Sequence, residues 1–275
     1  MLFKICGLKE INTIDCCEKK NVDFFGMIFY EKSPRYITLK QAQKLVEFSK
    51  NKNIKPVGVF VNENLEVTKS FIKNLDVNKY NCEGTLIHGI LNELKPNTNV
   101  FIGNSMAIRE ANDLTINIGR NLNIYCNRGV SGIDGLVSTS LGISYSSINK
   151  LTLNVAILGD LSFFHDMNGL LFTKKHHLNI KFIILNNNGG GIFSNLDIEK
   201  LKYPKFKEYW TTPLNLDLKK IANVYDIRYS IAKNSSELQS IINKNDAVEI
   251  IDYKIDIKDS KEIKNDLKNL IGNLV

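Results

Sequence analysis

The stretch Gly159 to Gly191, GDLSFFHDMNGLLFTKKHHLNIKFIILNNNGGG, decides the fold. An apolar run, Val155-Ala156-Ile157-Leu158, ends in Gly159-Asp160. A helix-like pattern follows, expected to begin after Ser162, and then a second apolar run, Phe182 to Leu185, ending in Asn186-Asn187-Asn188 and three glycines. The order strand, turn, helix, strand puts Asp160 and the asparagines at the carboxyl ends of neighbouring parallel strands, the edge where open α/β sheets bind ligands. The residue types point to a metal-clamped diphosphate. Mg²⁺ takes six hard oxygens, usually with only one or two carboxylates among them and phosphates and water in the shell. Asp160, the Asn187 amide oxygen and the Gly189 carbonyl are the candidate ligands. The helix start offers N–H groups to the same anion, and glycines 189–191 allow close backbone approach.

The spacing adds a resemblance. Gly-Asp, one residue, positions 162–185 and then Asn-Asn is similar to the thiamine diphosphate motif, although either dipeptide alone reads as a turn.

Composition sets wider bounds. The 275 residues suffice for one large or two small domains, with 43% apolar and 24% charged residues. The net charge of +7 is compatible with anionic ligands. The lysines are scattered rather than clustered, so nucleic acid is not an expected partner. Five cysteines, Cys6, Cys16, Cys17, Cys82 and Cys126, lack paired metal spacing and suit a reducing, cytoplasmic compartment. No apolar run is long enough to span a bilayer, and the start, MLFKICGLKEI, lacks a signal-peptide layout.

The first third alternates strand and helix, which implies a parallel sheet. Strands are expected at 3–7, 23–29 and 56–61, with helices at 8–20, 39–50 and 65–75. KICGL at 4–8, DFFGMIF then KSPRYI at 23–37, and VGVFVN at 57–62 resemble the N-terminal part of phosphoribosylanthranilate isomerase, a (β/α)₈ barrel of tryptophan biosynthesis. The resemblance covers residues 1–77. It implies Cys6 as a general base and Arg35 as the group holding the substrate carboxylate, both at barrel-strand ends. From the residues alone, Cys6 reads first as a small apolar strand residue. Only three of eight βα units are recognised. The family's general acid, its Leu-His-Gly-like stretch and its late phosphate site have no counterpart here.

From residue 78 onward a second domain is expected, a doubly wound parallel sheet of about six strands. A helix is expected at 85–94, strands at 100–102, 122–126, 153–158 and 180–185, then a helix at 218–224, a strand near 227, a helix at 237–242, a strand at 248–253 and a helix at 262–270. FIGNSMAIR, YCNRGVSGIDGLVST, GDLSFFHDMNGL and NNNGGGIFS resemble, in this order, the C-terminal cofactor-binding domain of SEPHCHC synthase. That enzyme of menaquinone and phylloquinone biosynthesis decarboxylates 2-oxoglutarate on thiamine diphosphate and joins the product to isochorismate. The resemblance implies Asp160, Asn187 and Gly189 as Mg²⁺ ligands, and Leu161 and Ser162 as the diphosphate turn. It implies Ile133 as the aliphatic wedge between the cofactor's rings. Ser105, Arg109 and Arg128 become carboxylate-binding residues, and Ile192 and Phe193 an apolar lining. Guanidinium grips carboxylate bidentately, which suits dicarboxylic substrates. Other readings stand beside these: ion pairing for the arginines, plain core for Ile133, a helix cap for Ser105. His165, His176 and His177 read as structural, the last two at a helix carboxyl end.

In this family a glutamate on a separate pyrimidine-binding domain activates the cofactor, and residues 1–77 resemble a different protein. Three hypotheses follow. The chain is the diphosphate half of a synthase, completed by a pyrimidine-domain chain or a homo-oligomer. Or it acts as an isomerase. Or it is a non-catalytic fusion that keeps only Mg²⁺–diphosphate binding.

Overall fold

A computed structural model describes residues 3–59, 82–114, 121–148, 152–244, 247–256 and 258–263. The chain divides into two compact units, Met1–Thr68 and Lys69–Val275. The expected helix at 65–75 and the junction at 77/78 lie outside the described residues, as does most of the helix expected at 262–270.

The first unit is a parallel sheet in the order β1 (Lys4–Cys6), β2 (Phe24–Ile28), β3 (Lys55–Val59). Helices Ile11–Lys19 and Leu39–Ser49 follow the first two strands. The first helix starts at Ile11, not at Leu8, because Gly7 takes the left-handed φ of 84° and Leu8 turns into the core. Thr38 caps the second helix in a reciprocal box with Gln41, satisfying otherwise orphaned donors. Ile14, Phe25, Ile37, Leu45 and Ile54 fill the core between sheet and helices. Lys52 bridges Asp15 (2.9 Å) and Glu18 (2.7 Å), and hydrogen bonds from Lys19 and Lys52 hold the Asp15 carboxyl down at about 2.

The second unit is a six-stranded parallel sheet. Its strands are β4 (Asn99–Ile102), β5 (Asn123–Tyr125), β6 (Asn154–Gly159), β7 (Ile180–Asn186), β8 (Arg228–Ala232) and β9 (Glu249–Lys254), in the order β5-β4-β6-β7-β9-β8. Alternation along the strands assigns residues to two faces. Val155, Ile157, Ile183, Leu185 and Ile251 join the core made with helices Glu83–Glu93, Met106–Leu114 and Ser235–Ile242. Ala156, Leu158, Phe182, Ile184 and Ile250 join the opposite core, with helices Leu136–Ser146, Asp160–His165 and Leu218–Val224. The sheet is therefore doubly wound. The strand order reverses between β4 and β6, so the crevice over their carboxyl ends is the topological switch point.

The helix after β6 begins at Asp160 rather than after Ser162, and it lasts only six residues. It ends at Asp166, whose carboxylate instead caps another helix, accepting from Ser138 N (2.7 Å) and Ser138 Oγ (3.0 Å). That helix starts after Gly135, which has no side chain to cap it. A 3₁₀ turn, Met167–Lys174, carries the chain on to β7. His176 packs its ring on Phe172 (4.3 Å) and Tyr145 (4.8 Å).

Polar residues at the amino ends of the strands set the register. Asn123 donates to Asn99 (3.0 Å), Asn99 to Asn154 (2.9 Å), and Asn154 to the Asn179 carbonyl (2.9 Å). Further along the sheet, fully buried Lys181 pairs with Glu249 at 3.0 Å, and Ser230 donates to the other Glu249 oxygen at 2.6 Å. A one-residue slip would carry these groups into the apolar layers. Lys181→Met strands a buried carboxylate and should cost about 3–5 kcal/mol, much of it recovered in Lys181→Met/Glu249→Leu. Urea unfolding followed through Trp210, the single tryptophan, reads this unit alone.

Candidate functional site

Four loops meet the carboxyl edge at the switch point: Gly103–Ser105 after β4, Asn127–Gly135 after β5, Gly159–Ser162 after β6 and Asn187–Gly191 after β7. Gly103 lies against β6, where an added Cβ would come within 2.8 Å of Leu158. Buried Asn104 donates to the carbonyls of Gly132 (2.7 Å), Val130 (3.1 Å) and Asn127 (3.4 Å), tying the first loop to the second.

Asp160 joins the other two loops. Its carboxylate is only 6% exposed and accepts Leu161 N–H at 2.6 Å and Gly189 N–H at 2.9 Å. Burial raises its pKa above the ordinary carboxylate value, and the backbone N–H groups partly offset this. Each oxygen keeps lone-pair capacity, since a carboxylate offers about four acceptor sites. Asn187 donates through Nδ2 to Glu83 Oε1 at 3.1 Å, while its Oδ1 is buried with no hydrogen-bond partner. Gly189 has a φ of 128°, and a Cβ there would lie 2.3 Å from the Thr211 carbonyl oxygen. Glycine is therefore required at this position.

A second tier holds the turn. Asn186 donates to Asp252 (2.9 Å) and accepts from Asn188 N (3.3 Å), and Tyr229 donates to Asp252 (3.1 Å). Burial, then the neighbouring Asp252 charge, pushes the Tyr229 phenol up. Asn188 and Asn215 exchange hydrogen bonds at 3.0 and 2.8 Å. A π-helical turn, Lys207–Thr211, backs the glycines, with Gly190 N donating to Thr211 O at 2.7 Å.

Of the residues expected as ligands, Asp160 and Gly189 are joined by a hydrogen bond, Asn187 lies two positions before Gly189, and the Gly189 carbonyl accepts Gly191 N–H at 2.9 Å. A buried carboxylate, an orphaned buried amide oxygen and a glycine carbonyl make a hard-oxygen set of the kind Mg²⁺ takes. Leu161 and Ser162 lie in the first helical turn beside them, where N–H groups lack intrahelical partners. Of the carboxylate-binding candidates, Ser105 and Arg128 sit on the two neighbouring loops and Arg109 in the first turn of helix Met106–Leu114. Ser105, at φ 71°, accepts from Arg109 through its carbonyl (2.7 Å), so this arginine folds onto its own helix start. Arg128 donates to Ser131 Oγ at 3.2 Å. Both guanidiniums are exposed and Ile133 is half-buried. Ile192 and Phe193 occupy the 3₁₀ turn Gly191–Asn195, with the Phe193 ring over Gly190. In the first unit, Cys6 and Arg35 are neighbours: Arg35 donates to the Cys6 carbonyl (3.3 Å) and its chain crosses Gly7. The Cys6 sulfur rests on Gly26.

Sequence reading missed Glu83, Asn104, Asn186 and Asp252. Asn104 stood inside the quoted GNSM stretch, and Asn186 inside the asparagine run. Glu83 and Asp252 gave no local signal, because their partners lie 104 and 66 positions away.

Two family models match parts of the chain. Residues 117–248 match the thiamine pyrophosphate enzyme family, C-terminal TPP binding domain. Residues 3–95 match N-(5'-phosphoribosyl)anthranilate isomerase. That match passes residue 77 and takes in Leu86-Ile87-His88-Gly89, which here form part of helix Glu83–Glu93 in the second unit's core. The 2-succinyl-5-enolpyruvyl-6-hydroxy-3-cyclohexene-1-carboxylate synthase of Leuconostoc citreum is 47% identical over 54% of this chain and 27% of its own length. That of Desulfitobacterium hafniense is 37% identical over 68% of this chain and 34% of its own. The chain spans about a third of the length of these relatives. A solved Mycobacterium smegmatis chain, assigned to the thiamin diphosphate-dependent enzymes, superposes with a TM-score of 0.50 at 16% identity, over 64% of this chain and 32% of that one. The chain is homologous to the synthase cofactor domain in its later part and to the isomerase in its earlier part.

A carboxyl with a raised folded-state pKa costs stability when ionised, and that cost is relieved as pH falls through the folded pKa. Acidification should therefore stabilise the wild type relative to Asp160→Asn, by at most about 1.4 kcal/mol per pH unit inside the titration window. Urea midpoints read by Trp210 between neutral pH and pH 4 check the sign.

Proposed function

We propose that the second unit is the diphosphate-binding half of a SEPHCHC-synthase-like site, taking thiamine diphosphate with Mg²⁺. The observation that carries this reading is the joined loop pair: a buried carboxylate bound to the Gly189 N–H beside an unpartnered Asn187 oxygen. Asp160, Asn187 and the Gly189 carbonyl hold the cation, and the Leu161–Ser162 turn meets the diphosphate. Ile133 supports the cofactor from the loop after β5. When bound, the cofactor supplies the thiazolium carbon that decarboxylates a 2-oxo acid and forms a carbon–carbon bond. Exposed Arg109, in the first turn of helix Met106–Leu114, and exposed Arg128, on the loop after β5, turn from their present contacts to grip the carboxylates of 2-oxoglutarate and isochorismate. Ile192 and Phe193 exclude water beside them. A pyrimidine-binding domain, on another chain or another copy, completes the site. The five reduced cysteines fit a cytoplasmic setting, and among the described residues no helix is long and apolar enough to cross a membrane.

Calorimetry with thiamine diphosphate should show Mg²⁺-dependent binding that Asp160→Ala abolishes. Mixing with a synthase pyrimidine domain should restore carboligation. A folded partner that leaves the mixture inactive rejects the synthase reading and leaves a non-catalytic, diphosphate-binding fusion.

The contact of Arg35 with Cys6 favours a second reading, isomerase chemistry in the first unit. Three described strands do not enclose a barrel interior. We therefore expect no turnover in a fluorescence assay on phosphoribosylanthranilate; turnover lost in Cys6→Ser would establish the isomerase instead.

A further inference from the structure

We propose that Glu83 is the positioning residue of this site, holding the Asn187 amide so that its oxygen faces the cation. The inference rests on the Mg²⁺–diphosphate reading above and deepens it.

An asparagine amide has two ends of nearly equal shape and opposite polarity, and its neighbours decide which end faces where. An ionised carboxylate only accepts hydrogen bonds. Facing Glu83 Oε1 at 3.1 Å, Asn187 can present only Nδ2. Its Oδ1 is thereby turned away from Glu83 and left buried without a partner. An unpaired buried acceptor is destabilising, and a bound cation would relieve that.

The surroundings keep both groups in place. Glu83 is 7% exposed and opens helix Glu83–Glu93, whose Leu86, Ile87, Ile90 and Leu91 are anchored in the core. On the other side, the Asn187 amide lies across Gly191, where a Cβ would come within 2.5 Å of Nδ2. The Gly189 N–H bond to Asp160 fixes the backbone that follows. Outer-shell partners of this kind typically set metal affinity by about 10–100-fold.

The test uses the full chain, with Mg²⁺ titrated calorimetrically in the presence of thiamine diphosphate. Gln at 83 can donate or accept, so Asn187 is no longer held one way. Glu83→Gln should weaken Mg²⁺ binding by about tenfold, the low end of the outer-shell range, with the Trp210-monitored unfolding midpoint unchanged. The swap Glu83→Gln/Asn187→Asp puts the acceptor-only group at 187, where either end is an oxygen, and should recover affinity to within a few-fold of wild type. Unchanged affinity in Glu83→Gln, or a loss that the swap fails to recover, overturns the proposal. Should Glu83→Gln fail to fold, the swap alone decides: near-wild-type affinity supports positioning, and weak binding overturns it. Wild-type protein that shows no Mg²⁺-dependent binding overturns the diphosphate reading itself, and this proposal with it, a result distinct from a failure confined to the Glu83 variants.

Discussion

The hydrogen bond from Gly189 N–H to the Asp160 carboxylate joins the tips of two adjacent strands, and the site depends on it. It keeps a charged group in place against the cost of burial, a cost visible in the raised pKa of that carboxyl. It also fixes a backbone turn that only glycine can make at φ 128°. A buried carboxylate with two backbone donors still has room for a third, stronger partner. The unpartnered Asn187 oxygen beside it makes the same demand. The fold thus holds two buried oxygen-bearing side chains on adjacent loops at the sheet's carboxyl edge.

The strand tips stay aligned because the opposite edge of the sheet is pinned. The asparagine ladder Asn123–Asn99–Asn154 and the buried Lys181–Glu249 pair are polar groups with one acceptable register. Apolar side chains alone would tolerate sliding between equivalent positions two residues apart. Polar groups that must find named partners do not. Register at the amino edge therefore sets position at the carboxyl edge, where the chemistry belongs.

The two units carry different ancestries. One is homologous to N-(5'-phosphoribosyl)anthranilate isomerase and the other to the C-terminal TPP binding domain of thiamine pyrophosphate enzymes. The isomerase match runs on into a helix whose apolar face is committed to the second unit's core. Helix Glu83–Glu93 therefore belongs structurally with the synthase-like unit. Its first residue faces Asn187, which gives that placement a consequence at the site.

Much of this was legible in the chain. Gly-Asp and Asn-Asn at the ends of two apolar runs placed the candidate ligands, because a parallel strand has one carboxyl end and a loop must follow it. Alternating strands and helices implied a parallel sheet before any pairing was known. The helix after β6 starts at Asp160, earlier than expected, and stops at Asp166, whose carboxylate is spent on Ser138, a contact only the folded chain shows. Glu83, Asn104 and Asp252 stayed hidden for the same reason: each acts through a partner far along the chain. Local pattern determines which residues reach the sheet's edge. Which end of an amide faces inward is decided only when distant carboxylates and carbonyls are packed within hydrogen-bonding reach, because direction in a hydrogen bond belongs to the pair.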